Sequence, residues 1–216
     1  MSKTLATRTA FYIAKTYAAA VNMTALTNAA EAVATLAAGH GVVVGDYLEV
    51  TSGWGKLNRR IVRAKTVVTN DVTLEGFNST STGNYPAGAG VGSIRRITAW
   101  DRLSQVSDIS TSGGEQQYED ATDFDNDVEE KIPTIRSAIS QSLQVFDDPS
   151  LPWYATVAAA SEAVSPVGYR MDLPSGSKLV ANSYWSLQKE PNVAKNKVIT
   201  SKIDLSFAAP SMRYAT

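Results

Sequence analysis

IRSAISQSLQVF, residues 135–146, decides the reading of this chain, because Ile135, Ile139, Leu143 and Val145 fall on one face at period two while Arg136, Ser140, Ser142 and Gln144 fall on the other. That alternation describes a long antiparallel strand with one face buried. A second such strand lies near the C-terminus, with Ile199, Ile203, Leu205 and Phe207 inward and Thr200, Lys202, Asp204 and Ser206 outward. Between them, Leu151-Pro152-Trp153 opens an alanine-rich segment in which Trp153, Val157, Ala160 and Val164 recur at helical spacing. A proline in the first turn is tolerated, since its missing amide would be unpaired there anyway. The expectation is one helix over 151–164, its apolar stripe pressed against a sheet. Val167 to Met171 and Lys178 to Ala181 flank Pro174-Ser175-Gly176, which supplies the chemistry of a hairpin turn. These elements make residues 101–216 a β-sandwich or flattened antiparallel barrel with one flanking helix.

Working toward the N-terminus, Tyr47-Leu48-Glu49-Val50 alternates as a half-buried strand should, and Val42 to Val44 precedes it as a short apolar run. Arg60 to Ala64, Val67-Val68, the turn pair Asn70-Asp71 and Val72 to Glu75 continue the series. Short strands separated by turn residues describe a small β-barrel over residues 27–100. Ser79 to Asn84 and the glycine-rich Pro86 to Gly92 read as a linker or mobile loop at its end. Residues 1–26 are an N-terminal arm or the first strand of the larger domain, although Ala18 to Ala20 and Asn28 to Val33 also satisfy helical propensity. The fold class is therefore mostly β, with a sandwich or flattened barrel plus a small barrel.

Residues 115–130 contain eight acidic side chains and no basic one: Glu115, Glu119, Asp120, Asp123, Asp125, Asp127, Glu129 and Glu130. Like charges at that density resist packing, so 111–131 reads as a long exposed acidic loop. Tyr118, Phe124 and Val128 are its only large apolar groups and are candidate anchors to a neighbour. The bland alternative is an ordinary solvated loop.

Composition removes several classes of function. The 216 residues include no cysteine and one histidine, His40, so thiolate metal sites, disulfides and cysteine nucleophiles are excluded. Ser112-Gly113-Gly114 and Ser137 lack a convincing base, because His40 has no poised surroundings in sequence. Gly88, Gly90 and Gly92 imitate a phosphate loop without the lysine and hydroxyl residue that should follow. Asp123, Asp125 and Asp127 lack the later glycine and glutamate of a calcium loop. The chain reads as having no cofactor, no metal and no catalytic residue. Twenty basic residues against 21 acidic ones give no net field for gripping nucleic acid, and Arg59, Arg60, Arg63 and Lys65 are split by strand alternation. Lys15 interrupts the apolar run at Phe11 to Ala14 before it reaches the length of a signal or membrane helix, so no membrane partner and manufacture in the cytoplasm are expected. Among the tryptophans, Trp100, Trp153 and Trp185 sit beside apolar periodicity and read as core or core edge. Trp54 lies in a loop between Gly53 and Gly55, so it either packs over the barrel mouth or serves as an outer contact of the barrel, and it is the contact candidate among the four.

The order of these parts resembles a known family. A strand, an acidic loop, a long strand, a helix between strands, a proline-glycine hairpin and a closing strand from Val198 to Leu205 running into Ala209-Pro210-Ser211 is similar to the major tail tube protein of long, non-contractile-tailed bacteriophages. The resemblance spans roughly Ile94 to Arg213 and is one of order, without a signature motif. Asn28-Ala29, Ala32-Val33, His40-Gly41, Gly45-Asp46, Leu57-Asn58 and Leu74-Glu75-Gly76 are similar to a small barrel module found in phage structural proteins. The resemblance implies a structural subunit of the virion tail, assembled in the host cytoplasm into homohexameric rings that stack into a tube. It implies as partners a tape-measure protein, tail terminator and tail-tip proteins, and double-stranded DNA in transit without sequence recognition. The acidic segment would then be the ring-stacking loop. Long strands near Ile135 and Lys195 would leave open edges that such a ring closes. The alternative is a virion decoration or adhesion protein using the barrel for contact.

Overall fold

The computed structural model describes residues 5–125 and 127–215. Among the described residues, the N-terminal region forms strands and links and no helix: β1 is Ala10–Tyr17, β2 Val21–Leu26 and β3 Val33–Leu36, with Ala18 to Ala20 linking the first two and 27–32 the last two. Alanine propensity loses there because Ile13, Ala14, Met23, Leu26, Ala34 and Leu36 are buried from extended backbone, and packing of that size outweighs a few tenths of a kcal/mol per residue.

Four further strands build the barrel with β2 and β3: β4 (Tyr47–Ser52), β5 (Ile61–Val68), β6 (Asp71–Leu74) and the first half of β7 (Gly92–Leu103), the order β2-β3-β6-β5-β4-β7 closing by antiparallel pairing of β7 with β2. This is a closed six-stranded barrel whose strands leave no free edge. Its interior is filled by Met23, Leu36, Leu48, Val50, Val62, Val72, Leu74 and Ile94. Val42 to Val44, expected to be strand, is loop instead. Val42 is buried beside the barrel while Val43 and Val44 are exposed, and Asp46 accepts a hydrogen bond from the Val43 amide at 2.9 Å to hold the turn.

The serine-threonine and glycine-rich stretches are pinned to the barrel at Ser79, Tyr85 and Gly90, while residues 80–84 and 86–89 are exposed. Ser79 is fully buried: its hydroxyl accepts from the Ala29 amide at 3.0 Å and lies 2.9 Å from the Thr27 carbonyl. Asn28 Nδ2 donates to the Ser79 and Tyr85 carbonyls, both at 2.9 Å. Gly90 lies so close to Trp54 that a Cβ would sit 2.6 Å from the indole, and one on Gly92 would meet the Thr51 carbonyl at 2.1 Å. The glycines are there for close approach, and the segment caps the barrel mouth.

The long strand β7 leaves the barrel and continues into the larger sheet, where it pairs with β1. The remaining strands are β8 (Val106–Ser112), β9 (Gln116–Asp120), β10 (Lys131–Arg136), β11 (Ser140–Phe146), β12 (Val167–Asp172), β13 (Lys178–Leu187), β14 (Thr200–Phe207) and β15 (Met212–Tyr214), and the helix α1 is Pro152–Ala163. The sheet runs β7-β1-β12-β13-β14-β11-β8, with β15 added beside β13. Its first and last strands are six pairings apart, about 29 Å in a flat sheet, yet only two residues separate Leu103 from Val106, a reach of about 10 Å. The sheet must therefore roll back on itself, which is the flattened barrel expected. Inside lie Phe11, Ile13, Leu143, Val145, Tyr169, Trp185, Ile203 and Leu205, closed by Trp153, Val157 and Ala160 of α1.

Three details of the larger domain depart from expectation. Residues 135–146 do not make one strand: β10 ends at Arg136 and β11 begins at Ser140, with Ile135 exposed and Leu143 and Val145 buried. Val164 is not on the helix's packed face. It adopts φ 47° as the left-handed C-cap and is exposed. Ile199 precedes β14 and is also exposed.

A third apolar cluster joins the two parts: Tyr47 and Ile61 from the barrel, Ala14 and Ile97 from β1 and β7, and Val180 and Tyr214 from the sheet. Glu49, buried on β4, accepts from Asn182 Nδ2 across this boundary at 2.8 Å and from Arg95 Nε at 2.5 Å. Arg63 donates its amide to Tyr214 Oη at 2.8 Å and stacks its guanidinium 4.6 Å from that ring.

Candidate functional site

The acidic segment is a hairpin, not a loop. Strands β9 and β10 pair antiparallel as a two-stranded sheet of their own, with Lys131 opposite Asp120, Ile132 opposite Glu119 and Pro133 opposite Tyr118. The arm grows from the β8–β11 ladder, whose last pair is Ser112 with Ser140. Gly113 and Gly114 bend it there at φ +82° and +83°, and a Cβ on Gly113 would meet the Ala138 carbonyl at 2.0 Å. Glycine is thus required twice over, for backbone sign and for space. The Ser137 amide donates to the Glu115 carbonyl at 3.0 Å and the Gly114 amide to the Ser137 carbonyl at 3.2 Å, closing the base of the arm.

Alternation failed as a signal here because neither face of the hairpin is covered. Glu115, Tyr118, Glu119 and Asp120 are exposed along the first strand. Asp123, Phe124, Asp125, Asp127, Val128, Glu129 and Glu130 are exposed around the tip. Phe124 is as open as in an extended peptide, and Ile132 and Ile135 on β10 are also exposed, two apolar groups the sequence reading had not assigned to the arm. Local bonds shape the tip: Asp120 Oδ1 accepts from the Thr122 amide at 3.0 Å and from its hydroxyl at 2.6 Å, which holds the Asp120 carboxyl below its ordinary pKa. Thr122 Oγ1 accepts in turn from the Glu130 amide at 2.9 Å. The tip is a shaped turn carrying unneutralised charge, since among the described residues only Glu129 of the eight carboxylates makes an ion pair, with Lys131 at 3.1 Å.

Of its two readings, Trp54 takes the packing over the barrel mouth and not the outer contact. It is 1% exposed, its Nε1 donates to the Pro86 carbonyl at 2.8 Å, and its ring meets Tyr85 edge-on at 5.2 Å. The glycines that flank it let the chain turn inward so that the indole plugs the barrel, leaving no outer contact surface at that residue. Trp153 and Trp185 are buried and Trp100 is half-buried, as their periodicity implied.

The remaining chemistry-bearing residues are in structural use. His40 Nδ1 accepts from the Val42 amide and its Nε2 faces the Thr69 carbonyl, each at 3.0 Å. Arg63 makes a bidentate pair with Glu75, Lys65 pairs with Glu31, Arg60 lies over Phe77, and Arg59 donates to Tyr184 Oη at 3.1 Å, so the basic cluster is dispersed among partners. The described residues contain no group of three or more histidine, cysteine, aspartate or glutamate side chains arranged for a metal ion. No helix is long and apolar enough to cross a membrane.

Two surfaces remain after these residues are placed. One is the edge of the larger sheet: β11 and β14 are flanked on both sides, so the open amides belong to β8, to the second half of β7, to the short β15 and to the arm, not to the strand near Lys195. The other is the outward face of β8, β11, β14 and β13, where Ser110, Ser112, Ser140, Ser142, Ser186 and Ser206 surround a shallow depression of about 450 Å³. Its ionic groups are Lys202 and Asp204, paired at 3.0 Å.

A β subunit with open strand edges and an exposed acidic arm that carries bare apolar groups has the anatomy of an assembling structural protein. Residues 52–216 match the family model described as Phage tail tube protein, TTP, and the chain belongs to that family. No curated protein matches the sequence. The family match takes in the last residue of β4, the barrel strands β5, β6 and β7, and every strand of the larger sheet except β1. It makes this protein a structural component of a bacteriophage tail, within the virion, and not an enzyme.

Proposed function

We propose that this chain is the repeating subunit of a tail tube in which homohexameric rings stack around a channel that conducts double-stranded DNA. Family membership supports the tail, and the observation that carries the ring is the open edge of β8, the last strand of the larger sheet. A strand of seven residues paired on one side only invites pairing on the other, and pairing with an identical neighbour satisfies it in a closed ring. The serine-rich outward face fits a channel wall. It carries hydroxyls and one internally neutralised ion pair, whereas a basic lining would hold a polyanion through counterion release. The acidic arm is the ring-stacking element, and the barrel stands outward, where it does not obstruct passage. A tape-measure protein occupies the channel before the genome, terminator and tail-tip proteins close the two ends, and assembly takes place in the host cytoplasm.

Electron microscopy of purified protein at rising concentration tests this reading. Six-fold rings and hollow tubes are expected, with the barrel as outer projections. Only monomers or dimers at high concentration and in native virions, or barrel density within the lumen, would refute it.

A further inference from the structure

Residues 188–199, between β13 and β14, form a second exposed projection whose chemistry is the inverse of the arm's. They contain Lys189, Lys195 and Lys197 against the single acid Glu190. Val193, Val198 and Ile199 are exposed there, at 72%, 66% and 42%. Lys189 is engaged by Glu162 at 2.6 Å, while Lys195 and Lys197 make no ion pair among the described residues. The segment is shaped: Asn192 and Thr200 exchange backbone hydrogen bonds at 2.7 and 3.3 Å, the Lys197 amide donates to the Ala194 carbonyl at 3.1 Å, and Asn196 takes the left-handed φ of 63°.

Its position in the ladder is the second observation. The arm leaves the β8–β11–β14 ladder where Ser112, Ser140 and Ser206 are paired, and residues 188–199 re-enter it where Thr200 pairs with Phe146. Those points are the two ends of β11, about 20 Å apart along the strand. One molecule thus carries an acidic projection with bare apolar groups at one pole and a basic projection with bare apolar groups at the other. Two unlike, complementary patches at opposite poles generate a head-to-tail contact that repeats without closing.

We infer that residues 188–199 are the receptor for the acidic arm of a second copy of this chain, with Lys195 and Lys197 facing the carboxylates of 115–130 and Val193 and Val198 receiving Phe124 and Val128. This rests on the stacked-ring reading and names the surface that the arm engages. Exposed charge pairs steer and set register, and the apolar groups supply the holding contact. The polarity also explains how one arm avoids its own subunit's receptor, which lies at the far end of β11.

Charge exchange tests the inference. Lys195→Glu with Lys197→Glu should raise the concentration needed for tube growth roughly tenfold or more. Asp123→Lys with Asp125→Lys should do the same, and a chain carrying all four changes should return to within about threefold of the parent, because the complement is restored with signs reversed. Circular dichroism confirms the fold of each variant. On the unaltered protein, carbodiimide cross-linking of assembled tubes should join Lys195 or Lys197 to a carboxylate of 115–130 between subunits. Tubes of the parent chain together with undisturbed growth of the lysine variant, failure of the fourfold chain to recover, or cross-links from the arm only to other surfaces would overturn the inference while leaving the tube reading intact. Absence of rings and tubes from the parent chain would refute both.

Discussion

At the scale of single residues, close approach and burial govern what each side chain is worth. Trp54 plugs the barrel mouth with its indole hydrogen-bonded to Pro86, so Trp54→Ala should cost about 3–5 kcal/mol of stability, and Gly90→Ala, which drives a methyl into the same ring, about 1–3 kcal/mol, both read from urea midpoints. Tyr17 is a different kind of reporter. Burial pushes its hydroxyl pKa up to about 12, although Oη accepts the Gly168 amide at 2.8 Å, and burial also raises Tyr169 and Tyr214. A raised folded-state pKa means the native state holds protons that the unfolded chain has released. The stability is therefore complete below pH 10 and falls as pH rises toward 12. Urea midpoints at pH 8, 10 and 11 should decline in that order, and Tyr17→Phe should flatten part of the decline while losing about 1 kcal/mol at pH 8 with the hydrogen bond.

Among the elements, the arm is the one whose removal from solvent the monomer does not accomplish. Its two strands pair only with each other, and Tyr118, Phe124 and Val128 all lie exposed. Replacing those three with serine should change the stability of the free subunit by no more than about 0.5 kcal/mol, because surface substitutions touch nothing that folding buries. The same variant should lose long tubes by electron microscopy. Tubes of undiminished length would separate the arm from stacking. Gly113→Ala attacks the same element from its base, since the methyl has no room against Ala138 and the φ is unfavourable. Its arm should depart from the ladder at a changed angle, with tube growth reduced and the rest of the fold kept.

For the molecule as a whole, the barrel and the rolled sheet share a strand and a core cluster, and this sets how they unfold. Strand β7 runs unbroken from one into the other, the capping segment 86–92 is held against Trp54 at Gly90, and Glu49 is hydrogen-bonded to Asn182 across the boundary. Thermal unfolding of the subunit should accordingly be one transition, with tryptophan fluorescence from the Trp54 side and far-ultraviolet dichroism coincident. Glu49→Ala should lower stability by about 2–3 kcal/mol, since it strips a charged acceptor from two donors at a buried site. Two separated transitions in the parent protein would show that the shared strand does not couple the parts.

What the sequence determined by itself is whatever depends on local period and composition. Leu143 with Val145, Ile203 with Leu205, and Trp153 with Val157 and Ala160 announce one-sided burial, so the strands, the single helix and the hairpin at Pro174 to Gly176 were legible. The acid-rich run likewise announced exposure, because no fold covers eight carboxylates without partners. Tertiary structure decided what depends on residues far apart in the chain. The residues around the alanine runs became β1 and β2, with Ala18 to Ala20 the link between them, because β7 offered a ladder on which both could pair. The glycine-rich stretch, which composition presents as a linker, became a packed cap because Trp54 and Thr51 come within van der Waals reach of it. For the same reason Trp54, surface-like between two glycines, went inside. Strand pairing in the arm was hidden because a hairpin exposed on both faces has no alternation to display, and the open edge passed to β8 because edge position is a property of the rolled sheet, set by which strands become neighbours and not by any strand's own residues.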